Sequence, residues 1–207
     1  MAKGAETLRK YPRSTAKALA RRREILDRAA ELFDTVGYDE TSVDDIALAN
    51  DIGKSTLYHY FESREEMLFE MHEAFAERLL EAARESEKDN STPAEELRSL
   101  MVAIVTLNET LPGYIRAFFE NYQELSGKMR RTAMEKRNNY RKHLEGIIER
   151  GIEQGEFKPV DPSVAAYGVL GICNWTFHWF TPGGRMKGDE LGAFLCDLLL
   201  RGMDAES

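Results

Sequence analysis

Apolar residues recur along this chain with a helical period from end to end, and nowhere with the alternation of a half-buried strand. Ile25, Ala29, Leu32, Phe33 and Val36 form the first stripe, closed by Gly37. Thr41 or Ser42 caps a short second helix bearing Val43, Ile46 and Ala47, with Asp44 and Asp45 in the first turn, where the helix dipole favours acids. The pattern breaks at Asn50-Asp51, two residue types that tolerate the left-handed backbone of a tight turn. A third short helix, about Lys54 to Phe61, follows at once. Ser63 with Glu66 reads as a capping box opening a long helix with Leu68, Met71, Phe75 and Leu79.

After the polar stretch Arg84 to Ser91, Thr92-Pro93 with Glu95 opens a helix with Leu97, Leu100, Met101, Ile104 and Leu107, interrupted at Leu111-Pro112-Gly113. Ile115, Phe118, Phe119, Tyr122 and Leu125 form the next stripe. A long helix from about Lys128 to Gln154 follows, and Gly155 ends it. Asp161-Pro162 caps a helix that closes at Thr181-Pro182-Gly183-Gly184, and Leu191, Phe194, Leu195, Leu198 and Leu199 mark a last one ending at Gly202. The expectation is an all-α chain of about nine helices with no internal repeat. It divides into an arm over 1–20, read as disordered, a helix-turn-helix domain over 21–66, and a larger helical domain over 67–207.

Composition supports this reading: six prolines in 207 residues, with helix-favouring residues abundant. A net charge of −8 argues at first against a polyanionic partner, but the charge is unevenly distributed. Residues 1–28 hold nine bases and three acids, a net +6, which leaves −14 on the rest. One end is thus suited to nucleic acid. Cys173 and Cys196 sit in apolar stretches without metal-ligand spacing and read as reduced core residues of a cytoplasmic protein. The uncharged run Val164 to Phe180 would span only about 26 Å as a helix, against roughly 30 Å of hydrocarbon, so it reads as a doubly buried helix and not a membrane span.

Arranged at about 100° per residue, the third helix puts Leu57, Tyr60 and Phe61 on one side and Ser55, Thr56, Tyr58 and His59 on the other. An apolar side to pin the helix, and a small or amphipathic side to meet base edges, is what a major-groove reader requires. Lys54 and Arg64 flank it as phosphate contacts, and the Tyr58 and Tyr60 hydroxyls can serve likewise. The segment Arg22 to Phe75, through Ala29-Ala30-Glu31-Leu32-Phe33, Gly37-Tyr38, Thr41-Ser42-Val43-Asp44-Asp45-Ile46-Ala47 and Ser55-Thr56-Leu57-Tyr58-His59-Tyr60-Phe61, resembles the TetR family of repressors. The resemblance implies a three-helix DNA-binding domain, a six-helix ligand domain, and a homodimer formed through the last two helices on a palindromic double-stranded operator. It also implies that Thr56, Tyr58 and His59 meet the bases or adjoining phosphates, with Ser42, Lys54, Tyr60 and Arg64 on the backbone. Two positions depart from the family pattern: Asp51 stands where glycine is usual and Gly53 where a capping serine is common.

In the larger domain, Arg130, Arg137 and Arg141 project onto the apolar face that carries Leu144 and Ile148, and residues 128–142 hold seven bases and one acid. Charges on such a face are costly unless they meet an anionic ligand, pair with the carboxylates of Glu120 or Glu124, or snorkel to the surface. The run Gly171 to Gly184, with Asn174, Trp175 and His178, is similar to the TetR-type subgroup that controls fatty-acid, steroid or aromatic-acid degradation. That resemblance implies a small-molecule effector of the acyl-coenzyme A class and no bound cofactor. Candidate ligand residues are Phe118, Tyr122, Arg137, Arg141, Asn174, Trp175 and His178. Catalytic and metal-binding residues are not expected: H-E-x-x-H, a Gly-rich phosphate loop and a nucleophile elbow are all lacking, and none of His59, His72, His143 and His178 follows a Glu by three. A repressor sensing hydrophobic cations, and a helical adaptor without DNA binding, are the alternative readings.

Overall fold

The computed structural model describes residues 16–86 and 92–203. These contain nine α-helices and no β-strand: α1 (Ala16–Thr35), α2 (Val43–Ala49), α3 (Lys54–Tyr58), α4 (Arg64–Ser86), α5 (Pro93–Thr110), α6 (Pro112–Phe119), α7 (Gly127–Glu153), α8 (Pro162–Trp175) and α9 (Gly188–Met203). The chain separates into two compact units, Met1–Met67 and Leu68–Ser207, with the boundary inside α4.

In the first unit, Ile25, Ala29 and Phe33 of α1 are buried, as are Ile46 of α2, Leu57 of α3 and Phe61. Residues 16–20, assigned from the sequence to the arm, are already the first turn of α1, because three alanines and a leucine there favour helix whatever the surrounding charge; the arm's residues 1–15 lie outside the described residues. Ser42 caps α2 reciprocally with Asp45. The α4 box is only half formed: the Ser63 hydroxyl accepts from the Glu66 amide at 3.1 Å, but the Glu66 carboxylate turns to the Glu62 amide and to Arg22. The turn after α2 puts Asp51 at φ 53°, the left-handed region in which a side chain is strained and glycine is not. Asp51→Gly is accordingly expected to raise stability by about 0.5 kcal/mol after the added chain entropy of glycine is counted. A thermal melt reads this as a rise of about one to two degrees, and an unchanged or lower melting temperature would show that the Asp51 side chain makes a compensating contact.

In the second unit, α5 and α9 approach closely enough that a Cβ on Gly192 would lie 2.6 Å from the Val102 Cα. The Gly188 amide donates to Glu109 at 2.8 Å, holding the start of α9 on α5, and Arg98 pairs with Asp197 between the same helices. The expected single helix over Val164 to Phe180 is shorter than the apolar run implied: α8 stops at Trp175 and a 3₁₀ turn takes over at Thr176–His178. The cause is a buried polar knot. The Thr176 hydroxyl donates to the Cys173 carbonyl at 2.6 Å, the Asn108 amide donates to that carbonyl at 3.1 Å and also to the Thr176 oxygen, and together they tighten the last turn. No described helix is long and apolar enough to cross a membrane. Cys173 and Cys196 are free and buried, and burial pushes their thiols up to about 12 and about 11.

His72 of α4 is fully buried, stacked on Phe118 with ring centres 4.5 Å apart, and faces Glu73 on its own helix and Lys136 and Arg137 on α7. Burial lowers its basicity, against an opposing pull from Glu73. Since the folded chain holds this ring neutral, the unfolded chain binds the extra proton first, and stability declines as pH falls below the ordinary histidine value of about 6.5. In denaturant titrations between pH 7.5 and 5.5, His72→Phe is expected to show a shallower fall in stability than the parent; equal slopes would show that His72 is not the group responsible.

Candidate DNA-reading face and effector cavity

The reading face is built on two anchors. Leu57 and Phe61 are buried at 0% and 1% exposure, which leaves Ser55, Thr56, Tyr58 and His59 outward on the opposite side of α3. Helix α3 itself is shorter than its sequence suggested: it ends at Tyr58, and His59 and Tyr60 form the turn that carries the chain to Phe61, whose amide still bonds the Leu57 carbonyl at 3.0 Å. The guanidinium of Arg22 lies 3.9 Å over the Phe61 ring and pairs with Glu66, so the far end of the reading element is fixed to α1 and α4. At the near end, Arg21 donates to the Asn50 carbonyl at 2.7 Å and the Asn50 side chain closes onto the Ile46 carbonyl at 2.9 Å.

The expected backbone contacts fall into different places. Lys54 is exposed and paired with Asp44 at 2.9 Å, which holds its ammonium proton more tightly. Ser42 is exposed, with its hydroxyl committed to the α2 cap. Arg64 is turned inward: it donates to the carbonyls of Tyr38, at 2.6 Å, and of Thr41, and lies 4.8 Å over the Tyr38 ring, so it braces the loop between α1 and α2. Tyr60 is half-buried and lines an open cleft with Lys17, Arg21 and Glu24. Lys17 and Arg21 were counted in the sequence only as charge; their place beside Tyr60 follows from α1 beginning at Ala16, and the alanine-rich turn there was the available signal.

The second unit contains a cavity of about 140 Å³ between α6, α7 and α8. Phe118, Phe119, Tyr167 and Leu170 supply apolar wall; Arg137, Asn138, Tyr140, Arg141 and Asn174 supply polar groups. Arg137 donates to the Phe118 carbonyl and its guanidinium stacks 4.3 Å from the Tyr122 ring, yet no carboxylate pairs with it among the described residues. Burial lowers its basicity, with Tyr122 opposing. Arg141 pairs with Glu145 on its own helix and reaches the Ser163 hydroxyl at 3.3 Å. Neither arginine meets Glu120 or Glu124: Glu120 is held by Arg116 at 2.7 Å. Three buried polar atoms on the lining have no hydrogen-bond partner, the Tyr140 hydroxyl, the Arg141 Nε and the Asn174 Oδ1.

Of the seven candidate ligand residues, Phe118, Arg137, Arg141 and Asn174 thus line one cavity, and Tyr122 packs behind Arg137. Trp175 and His178 do not. One residue beyond Asn174 is about 100° around the helix, which leaves Trp175 63% exposed on the outer side of α8. The 3₁₀ turn then carries His178 out as well, where its ring touches those of Trp175 and Phe177 and its Nε2 lies 3.6 Å from Glu120. Arg130 is also exposed, so the arginine stripe begins at Arg137. Phe119, Asn138, Tyr140, Tyr167 and Leu170 also line the cavity and were not among the expected ligand residues.

Residues 25–71 match the bacterial regulatory proteins of the tetR family, and residues 90–203 match the tetracyclin repressor-like C-terminal domain. The HTH-type transcriptional repressor KstR2 of Mycobacterium tuberculosis is 30% identical over 189 residues, covering 90% of this chain and 94% of that protein. The crystal structure of PfmR, a TetR family transcriptional regulator from Thermus thermophilus, superposes with a TM-score of 0.80 at 35% identity over 86% of this chain and 97% of that one. AibR, solved in complex with isovaleryl coenzyme A and operator DNA, gives a TM-score of 0.78 at 30% identity over 87% and 98% of the two chains.

Proposed function

The chain belongs to the TetR family of bacterial transcriptional regulators, and we propose that within it the protein is a homodimeric repressor that holds a palindromic operator and leaves it when the acyl end of a coenzyme A thioester occupies the cavity between α6, α7 and α8. The observation that carries the ligand assignment is the cavity itself: an aromatic and aliphatic wall around an arginine that has no carboxylate partner among the described residues. The same cationic group disfavours a sensor of hydrophobic cations, which would need a carboxylate or a wholly aromatic cage there. AibR, solved with a coenzyme A thioester and operator DNA, supports the class of ligand and of partner, though not by itself the release.

On this reading Thr56, Tyr58 and His59 meet base edges, and Ser55, Lys54, Lys17 and Tyr60 meet the sugar-phosphate backbone. Arg64 acts indirectly, by bracing the loop before α2. The effector signal has a short physical route. A ligand oxygen that draws Arg137 away from the Phe118 carbonyl shifts the ring on which His72 of α4 is stacked. Release then follows from the ligand's preference for the α4 position that no longer suits adjacent major grooves.

The test is fluorescence anisotropy of DNA from upstream of the protein's own gene, titrated with protein and then with a panel of coenzyme A thioesters, free coenzyme A and cationic dyes. Salt-sensitive binding reversed by a thioester and not by free coenzyme A is the expected result. Binding that only the dyes reverse would overturn the ligand assignment, and the lack of operator binding would overturn the repressor.

A further inference from the structure

The size and polarity of the cavity restrict what enters it more narrowly than its class does. An apolar protein cavity of roughly 150 Å³ accommodates a benzene-sized guest, and this one has about 140 Å³. It opens on the side of the exposed Asn138 and Tyr167, so a guest of about six non-hydrogen atoms fills it, whereas a sixteen-carbon chain, needing roughly three times the room, would leave most of its length outside. The polar atoms are equally restrictive. The Tyr140 hydroxyl is on a side chain only 4% exposed and has no partner; Asn174 Oδ1, on the same lining, has none; Arg137 has donors and no carboxylate among the described residues. A buried donor without an acceptor is costly, so a purely hydrocarbon guest would leave the Tyr140 hydroxyl as unsatisfied as it stands now. A guest with one accepting oxygen among its few atoms satisfies Arg137 and Tyr140 and packs its carbons on Phe118, Phe119 and Leu170.

We infer that the effector group this cavity selects is a short acyl group of no more than about six non-hydrogen atoms, bound by its carboxyl or thioester carbonyl oxygen to Arg137 and Tyr140, and that medium and long fatty acyl chains, which overfill it and must share its open mouth with the coenzyme A moiety, bind less tightly. The inference rests on the reading of this cavity as the effector site. Its oxygen can come from a free short carboxylic acid or from the corresponding thioester, and the two are separable by experiment. Leu170 and Phe119 are then the residues that set chain length, because they are wall and are only partly buried. One methylene misfitted in an apolar pocket changes binding about tenfold or more, so the discrimination is large enough to measure.

The experiment is isothermal titration of the full-length protein with isovalerate, isovaleryl-coenzyme A, octanoyl-coenzyme A, palmitoyl-coenzyme A and free coenzyme A, repeated on Leu170→Ala, Arg137→Met and Tyr140→Phe. Isovaleryl-coenzyme A is expected to bind at least tenfold more tightly than palmitoyl-coenzyme A. Arg137→Met and Tyr140→Phe each weaken it tenfold or more at unchanged circular dichroism, and Leu170→Ala moves the preference tenfold toward octanoyl. Isovalerate binding as tightly as its thioester would keep the length limit and remove coenzyme A from the proposed effector. Palmitoyl-coenzyme A binding as tightly as isovaleryl, or a Leu170→Ala protein with an unaltered chain-length ranking, overturns the inference while leaving an acyl-coenzyme A repressor. If neither acids nor thioesters of any length bind, both readings fall together.

Discussion

A protein carrying Trp175→Asp and Leu198→Asp is expected to sediment as a folded monomer and to hold its operator at least a hundredfold more weakly than the parent. Among the described residues, six of the eleven exposed large hydrophobic side chains lie in one stretch of the second unit: Val164, Tyr167 and Trp175 on α8, Trp179 after it, and Phe194 and Leu198 on α9. On α8 the exposed side also carries Gly168 and Gly171, where an added Cβ would meet nothing within 4 Å, so another backbone can approach closely there. The inner sides of the same helices are filled by Ala166, Val169 and Cys173, and by Leu191, Gly192 and Cys196. These keep their contacts in the double variant, which is why loss of fold is not expected. A second copy of the chain would bury the exposed side on both helices, as the family's dimer requires. Aspartates there place four carboxylates in a dry interface, at several kcal/mol apiece. A palindromic operator rewards a dimer because the second half-site is engaged at high effective concentration, worth about 10²–10⁴ in affinity. Analytical ultracentrifugation and operator anisotropy on the same samples decide the matter. A double variant that still sediments as a dimer would place the interface elsewhere, and a monomer that retains operator affinity would remove the need for a dimer.

The parts of this molecule legible from its sequence are those specified by neighbours in the chain. Helix α7, 27 residues long, is announced by its own period, and the reciprocal caps Ser42/Asp45 and Thr92/Glu95 are both formed, because a capping box is closed by residues three apart. Phe118, Arg137, Arg141 and Asn174 came together because each lies on the inner face of its own helix. What escaped was decided by partners distant in sequence. The end of α8 depends on Asn108, which reaches Cys173 and Thr176 from α5, so no local pattern shows that Trp175 and His178 turn outward. Arg64 looked like a phosphate contact from its position at a helix start, and its destination is two carbonyls more than twenty residues away. The half-formed cap at Ser63 has the same origin, since Glu66 is shared with Arg22 of α1.

The second large effect belongs to the reading face. Thr56→Ala, Tyr58→Ala and His59→Ala combined are expected to lower operator affinity about a thousandfold while leaving binding to unrelated DNA nearly unchanged. Thr56, Tyr58 and His59 are outward, and none of them contributes to the core that Leu57 and Phe61 form beneath. The substitutions therefore remove contacts to bases without loosening the element that carries them. A lost base contact costs about 1–3 kcal/mol, and three of them bring a specific complex close to the level that phosphate attraction alone provides. Charge substitutions should behave in the opposite way. Lys17→Ala or Lys54→Ala weakens specific and unrelated DNA by similar factors and lowers the dependence of log affinity on log salt by about one unit. For Lys54 the loss is partly offset, because the same side chain is engaged with Asp44 at 2.9 Å and must leave that carboxylate to reach a phosphate. Anisotropy with operator and scrambled DNA, at several salt concentrations, separates the two classes. If the triple variant discriminates operator from scrambled DNA as well as the parent does, sequence is read by some other element, and the exposed side of α3 is only a surface.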